Sequence, residues 1–200
     1  QQGLGTACGA IRDKLLKKPY VSDIMRLNKS VVVKRSAIGL REKMKAYMDL
    51  SSYIHQSVHT GNNIWIAQRE GHAKDGIDAT DVAVMKMLYM SKKKSGQSYA
   101  DYINSLHIVP VSIAYEFDPC DQAKARELEA VASSGEYVKA QFEDMKSIVK
   151  GIVGHKGKVH VAFGEPLAGQ FNTPEEIACA IDTSIALNYR LHGTNMAAYA

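Results

Sequence analysis

Four short runs rich in β-branched and aromatic residues, each set apart by a long stretch of helical periodicity, constrain this chain more than any other feature. They are residues 30–35 (SVVVKR), 62–68 (NNIWIAQ), 106–115 (LHIVPVSIAY) and 157–164 (GKVHVAFG). Runs of that length and composition read as strands. Between them, Leu40, Met44, Tyr47, Met48 and Ile54 fall on one helical face. Phe142, Met145, Ile148, Val149 and Ile152 do the same further on. Strands alternating with long helices predict an α/β fold: one domain over residues 1–200, with a mostly parallel or mixed central sheet flanked by helices.

The punctuation agrees. Asp118-Pro119 offers a cap with proline at the first helical position, and Thr173-Pro174-Glu175-Glu176 reads as a capping box with its proline. Pro110 is awkward inside a strand because it lacks a ladder donor, so an edge or a bulge is expected there. Residues 91–98 (SKKKSGQS) read as an exposed loop.

Charge narrows the functional classes. Lys and Arg number 25 against 21 Asp and Glu, a formal net charge of +4, which is no dense basic stripe and argues against a dedicated nucleic-acid binder. It suits a protein that handles phosphorylated ligands, an acidic partner or a membrane surface. Cys8, Cys120 and Cys179 are far apart and have neither metal-ligand nor disulfide-framework spacing, so a reducing cytoplasm is the simplest setting. No apolar run reaches the roughly 18 residues of a spanning helix. The chain starts with Gln1 rather than Met, which suggests residues upstream.

Candidate chemistry gathers at two strand ends. In IWIAQREGHAKDG, four apolar residues run into Arg69, Glu70, Gly71, His72, Lys74 and Asp75, and an apolar helix is expected from near Asp78. A loop feeding a helix N-terminus presents unpaired N–H groups to an anion, and glycine allows close backbone approach. The other reading is a solvated loop whose carboxylates pair with its own bases. The second place is the end of VVVKRS, where Lys34 and Arg35 close an apolar run; Arg suits bidentate phosphate contact. Residues 13–20 (DKLLKKPY) read as a solvated helix face, with a membrane-surface helix as the alternative.

Other patterns carry less. GLGTACG has two glycines at dinucleotide-fingerprint spacing, but no strand precedes it, so it reads as a flexible end. His55 and His59 share one helical face without an acid between them and read as surface residues. His107 and His160 fall in predicted strands and read as core-edge residues. No Gly-x-Ser-x-Gly elbow is present.

Taken in order, four blocks from Asp13 to Leu167 resemble the glycerolipid acyltransferases, specifically the 1-acylglycerol-3-phosphate acyltransferase family. The stretch DKLLKKPYVSDIMRLNKSVVVKR is similar to the family's Lys-x-Glu-Leu, Pro and apolar run closing in Arg, with Pro19 and Arg35 in place. IWIAQREGHAKDG is similar to its Pro-Glu-Gly-Thr-Arg-Ser block and keeps Glu70 and Gly71. LHIVPVSIAY supplies the later proline as Pro110, and VHVAFGEP the terminal Phe-Gly-x-Pro. Two departures stand out. The family's His-x-x-x-x-Asp motif is absent from these 200 residues and is expected upstream, and the Glu-Gly block is one residue shorter, so the family arginine falls at or beside His72.

The resemblance implies an acyltransferase-like fold, truncated at its N-terminus, and transfer of a fatty acyl group in phospholipid synthesis. The donor would be acyl-CoA or acyl-acyl carrier protein, and the acceptor glycerol phosphate or lysophosphatidic acid. It implies no cofactor, no metal and no nucleic acid. The upstream His would be the general base, oriented by its Asp. Lys34, Arg35, Arg69, Glu70, Gly71, His72, Lys74 and Asp75 would hold the acceptor phosphate, with Glu70 orienting Arg35 or the acceptor. A cytoplasmic protein, peripheral on the inner face of the cell membrane, would fit. The alternative is a non-catalytic lipid- or phosphate-binding domain that keeps the acceptor pocket.

Overall fold

The computed structural model describes residues 7–12, 23, 27, 30–33, 39–69, 73–74 and 76–199. Their contacts form two compact units: Gln1–Glu70, Thr80–Ile108 and Leu167–Ala180 in the first, and Gly71–Ala79, Val109–Pro166 and Ile181–Ala200 in the second. The class is α/β. In place of one central sheet, the described residues form a three-stranded parallel sheet and a separate antiparallel pair.

In the first unit the strands are β1 (Cys8–Arg12), β2 (Val31–Val33) and β3 (Ile64–Trp65), in the order β2-β1-β3. Both neighbours run parallel to β1, with Arg12 opposite Val33 and Gly9 opposite Trp65. The segment read as a flexible end thus gives Cys8 and Gly9 to the middle strand. Its small residues advertise no strand, because β-propensity mostly reports side-chain packing, and pairing on both sides decides instead.

Parallel strands need a crossover, and α1 (Leu40–His59) supplies it between β2 and β3. The sequence of α1 holds no Gly or Pro and opens with strong helix formers. Leu50, Ser51, Ile54 and Ser57 are buried, whereas Leu40, Met44, Tyr47 and Met48 are exposed, Leu40 at 80%. The predicted stripe is therefore covered only in its second half. There α1 packs on α2 (Val82–Tyr89) and the 3-10 turn Met90–Lys92 that continues it. Val84, Met85, Met87 and Leu88 of α2, and Tyr102 and Ile103 of α3 (Tyr99–Ser105), complete this core. Each such apolar side chain contributes about 1.5–3 kcal/mol on burial.

The second unit holds β4 (Val111–Tyr115) and β5 (Val159–Phe163), antiparallel, with Ile113 opposite Val161. Pro110 sits just before β4 rather than at an edge or bulge within it, and its carbonyl accepts the Gly164 N–H at 2.8 Å. Residues 106–109 are no strand: His107 is an exposed turn residue with φ of 48° after α3. His160 lies half-buried in β5. Small residues occupy the covered face of the pair, with Ser112 and Ala114 buried; Ile113, Tyr115, Val159, Val161 and Phe163 are exposed on the other.

Two helices complete this part of the chain: α4 (Asp121–Ser134) and α5 (Glu143–Val153). Asp118 does not cap α4 from the adjoining position. It accepts the Cys120 N–H at 2.8 Å and pairs with Lys124 at 2.6 Å. Burial would raise its carboxyl, but the bonds to Lys124 and Cys120 and the charges of Lys124 and Lys150 outweigh it and hold it below its ordinary value. None of the predicted face of α5 is buried, and Phe142 and Ile152 are 64% and 73% exposed. The chain then forms α6 (Pro174–Asn188) and α7 (Gly193–Tyr199). At the start of α6, the Thr173 hydroxyl accepts the Glu176 N–H at 3.2 Å, and the Glu176 carboxylate accepts the Asn172 N–H at 2.7 Å. This is the predicted capping box, with the return bond one residue earlier than usual. No helix among the described residues is long and apolar enough to cross a membrane.

Candidate functional site

A parallel sheet collects the carboxyl ends of its strands along one edge, the side on which open α/β sheets bind ligands. Here β2 ends at Val33, directly before Lys34 and Arg35 in the sequence, and β3 ends at Trp65, four residues before Arg69. Both flank β1 and point the same way, so the strands leading to the two basic stretches are about 10 Å apart across the sheet. Strand β3 stops three residues short of the level of Arg12 in the register. At about 3.3 Å per residue, an extended Ile66–Ala67–Gln68 spans that offset.

Helix α2 begins at the same edge. The Gln68 carbonyl accepts the N–H of Asp81, the N-cap of α2, at 2.9 Å. The helix therefore starts at Val82, later than the sequence suggests. Its first turn is already served by an anion, since the Asp81 carboxylate accepts the Ala83 N–H at 2.8 Å. An aspartate followed by an apolar run was the signal for this cap. Any phosphate at this edge would share the helix terminus with that carboxylate, so it would depend more on the arginines than on the helix dipole.

Of the predicted site residues, Arg69 is half-buried and belongs to the first unit. Lys74 belongs to the second unit, where it pairs with Glu127 of α4 at 2.7 Å. Its charge is matched by a carboxylate from outside the loop, so neither the cradle reading nor the self-paired-loop reading describes it. Lys34, Arg35, Glu70, Gly71, His72 and Asp75 lie outside the described residues, as do Lys14, Lys17 and Lys18.

The histidine pair of α1 is better placed than its sequence suggests. The ring centroids of His55 and His59 are 4.0 Å apart, and Nδ1 of His59 lies 2.9 Å from the His55 carbonyl. His59 is exposed, but His55 is half-buried, and both face a concavity shared with Ser91 and Lys92. The i, i+4 spacing was visible; the partners from beyond α2 were not. Among the described residues no group of three or more His, Cys, Asp or Glu side chains is arranged to hold a metal ion.

Comparison of the chain with protein-family models, with curated proteins and with solved structures returns no match.

Proposed function

We propose that this chain carries the acceptor-binding part of a glycerolipid acyltransferase, which moves a fatty acyl group from acyl-CoA or acyl-acyl carrier protein to glycerol phosphate or lysophosphatidic acid. One observation carries the reading: the strands that lead to Lys34-Arg35 and to Arg69 flank β1 in a single parallel sheet and end on one edge. The block-by-block resemblance then gives that edge a substrate.

Chemically, Arg35 would grip the acceptor phosphate with two parallel N–H bonds, Arg69 would add charge, and Glu70 would orient the Arg35 guanidinium. Fixing the phosphate fixes the acceptor hydroxyl relative to the thioester, and positioning of this kind can lower a barrier by several kcal/mol. Lys74 adds little to the clamp while it is paired with Glu127. No His is followed five residues later by Asp in these 200 residues, so the base that deprotonates the hydroxyl would come from elsewhere in the protein. The same absence favours a second reading, in which the edge binds a phosphorylated lipid without turnover.

Arg35→Ala in the full-length protein tests the clamp. Losing one charge-assisted pair should raise the KM for lysophosphatidic acid by about 10- to 100-fold, with the donor KM unchanged and a native circular dichroism spectrum. Unchanged acceptor kinetics would refute the clamp. Binding of lysophosphatidic acid without thioester consumption by the full-length protein would select the second reading.

A further inference from the structure

The last two turns of α1 and the 3-10 turn Met90–Lys92 border an open concavity of about 430 Å³. Its lining brings His55, His59 and Lys92 together with the hydroxyls of Ser52, Thr60 and Ser91, and it contains no carboxylate. The Ser51 hydroxyl fixes the two walls, donating to the Leu88 carbonyl at 2.7 Å and accepting the Ser91 N–H at 3.0 Å. His59 donates from Nδ1 to the His55 carbonyl, which leaves its Nε2 as the free ring nitrogen. Nδ1 of His55 is buried and finds no hydrogen-bond partner among the described residues. With the Gln56 carboxamide, the lining is a set of bases, hydroxyls and an amide with no anion to balance them.

We infer that this concavity is a second oxyanion site, separate from the sheet edge, which takes the phosphate group of a small phosphorylated ligand between His55, His59 and Lys92. An anion supplies what the lining lacks. It offers acceptors to protonated imidazoles, the Lys92 ammonium and the hydroxyls, and it relieves the mutual repulsion of the three bases. A cation fits poorly, because the pair of imidazoles has no third ligand among the described residues. The groups that face the pair are Lys92 from the 3-10 turn and the Tyr102 ring from α3, centred 5.8 Å from His55; neither is an acid at neutral pH. Without an anion, burial, His59 and Lys92 hold the His55 imidazole below its ordinary value. Phosphate binding therefore couples to proton uptake.

The experiment is a proton NMR titration of the histidine C2–H signals in the full chain, with and without millimolar inorganic phosphate at constant ionic strength. The His55 signal should titrate at higher pH when phosphate is present, and Lys92→Met and His59→Asn should each weaken phosphate binding about fivefold or more. Arg35→Ala should leave the shift intact, which separates this site from the sheet edge. Glycerol 3-phosphate in a parallel arm distinguishes an esterified phosphate from the free ion, and tighter binding of either one is consistent with the site. Absence of any shift would overturn the proposal, as would a shift of equal size in folded Lys92→Met. Saturable zinc binding by the pair with no response to phosphate would overturn it as well.

Discussion

Ser51→Ala probes the joint on which the first unit depends. Ser51 is fully buried in α1, and its hydroxyl spans 37 residues of sequence to reach the Leu88 carbonyl at 2.7 Å. It also accepts the Ser91 N–H at 3.0 Å and lies 2.9 Å from the Ser91 hydroxyl. The carbonyl belongs to the last turn of α2, where carbonyls run out of helical partners, and the N–H to the 3-10 turn that follows. Alanine removes the shared oxygen and leaves both without it. A buried polar group deprived of its partner costs about 1–3 kcal/mol, so the pair should lower stability by about 2–4 kcal/mol. For a chain of this size that is a fall of about 5–15 °C in Tm. Trp65 is the single tryptophan and lies in β3 of the same unit, so urea titration followed by its fluorescence reads the loss where it occurs. A cycle with Ser91→Ala should show coupling of about 0.5–1.5 kcal/mol from the hydroxyl–hydroxyl contact. A total loss under about 0.5 kcal/mol, or strictly additive mutants, would refute the claim that this oxygen joins α1 to the turn.

Two glycines of one helix region should respond with opposite signs, and acid should weaken the fold. A Cβ at Gly154 would sit 2.5 Å from both the Lys150 carbonyl oxygen and Pro119 Cβ, so Gly154→Ala should cost about 1–3 kcal/mol. At Gly151 of α5 nothing lies within 4 Å of the added methyl, and alanine there should raise stability by about 0.5–1 kcal/mol; thermal melts giving the two the same sign would contradict the packing. Because burial, His59 and Lys92 hold His55 below its ordinary value, the unfolded chain binds the proton first. Its contribution to stability should therefore fall as pH drops below about 6.5, and His55→Gln should flatten the urea midpoint between about pH 7.5 and 5.5. A midpoint that climbs on acidification because of His55 would reverse the assigned sign.

Several elements were readable because their cause is local. Val31–Val33, Ile64–Trp65 and Val159–Phe163 sit inside runs of β-branched and aromatic residues, and the Thr173–Glu176 box forms from neighbours in the chain. Strand β1 was not readable, since Cys8, Gly9 and Ala10 have no strand signature and become a strand only between two partners. The exposed half of the α1 stripe and the bare face of α5 show a further limit. Periodicity tells which side of a helix is apolar, and it does not tell what stands opposite.

The candidate sites divide in the same way. The chain of residues alone determined the chemistry on offer: basic strand ends at Arg35 and Arg69, a histidine pair one helical turn apart, and a lysine-rich loop after α2. Tertiary structure decided what meets. It set β2 and β3 on either side of β1, matched Lys74 with Glu127, and brought Lys92 to His55 and His59. Sequence fixes local conformation because side-chain and capping preferences act over a few residues. Long-range partnership follows from burial and hydrogen bonding between segments whose separation along the chain carries no record of their distance in space.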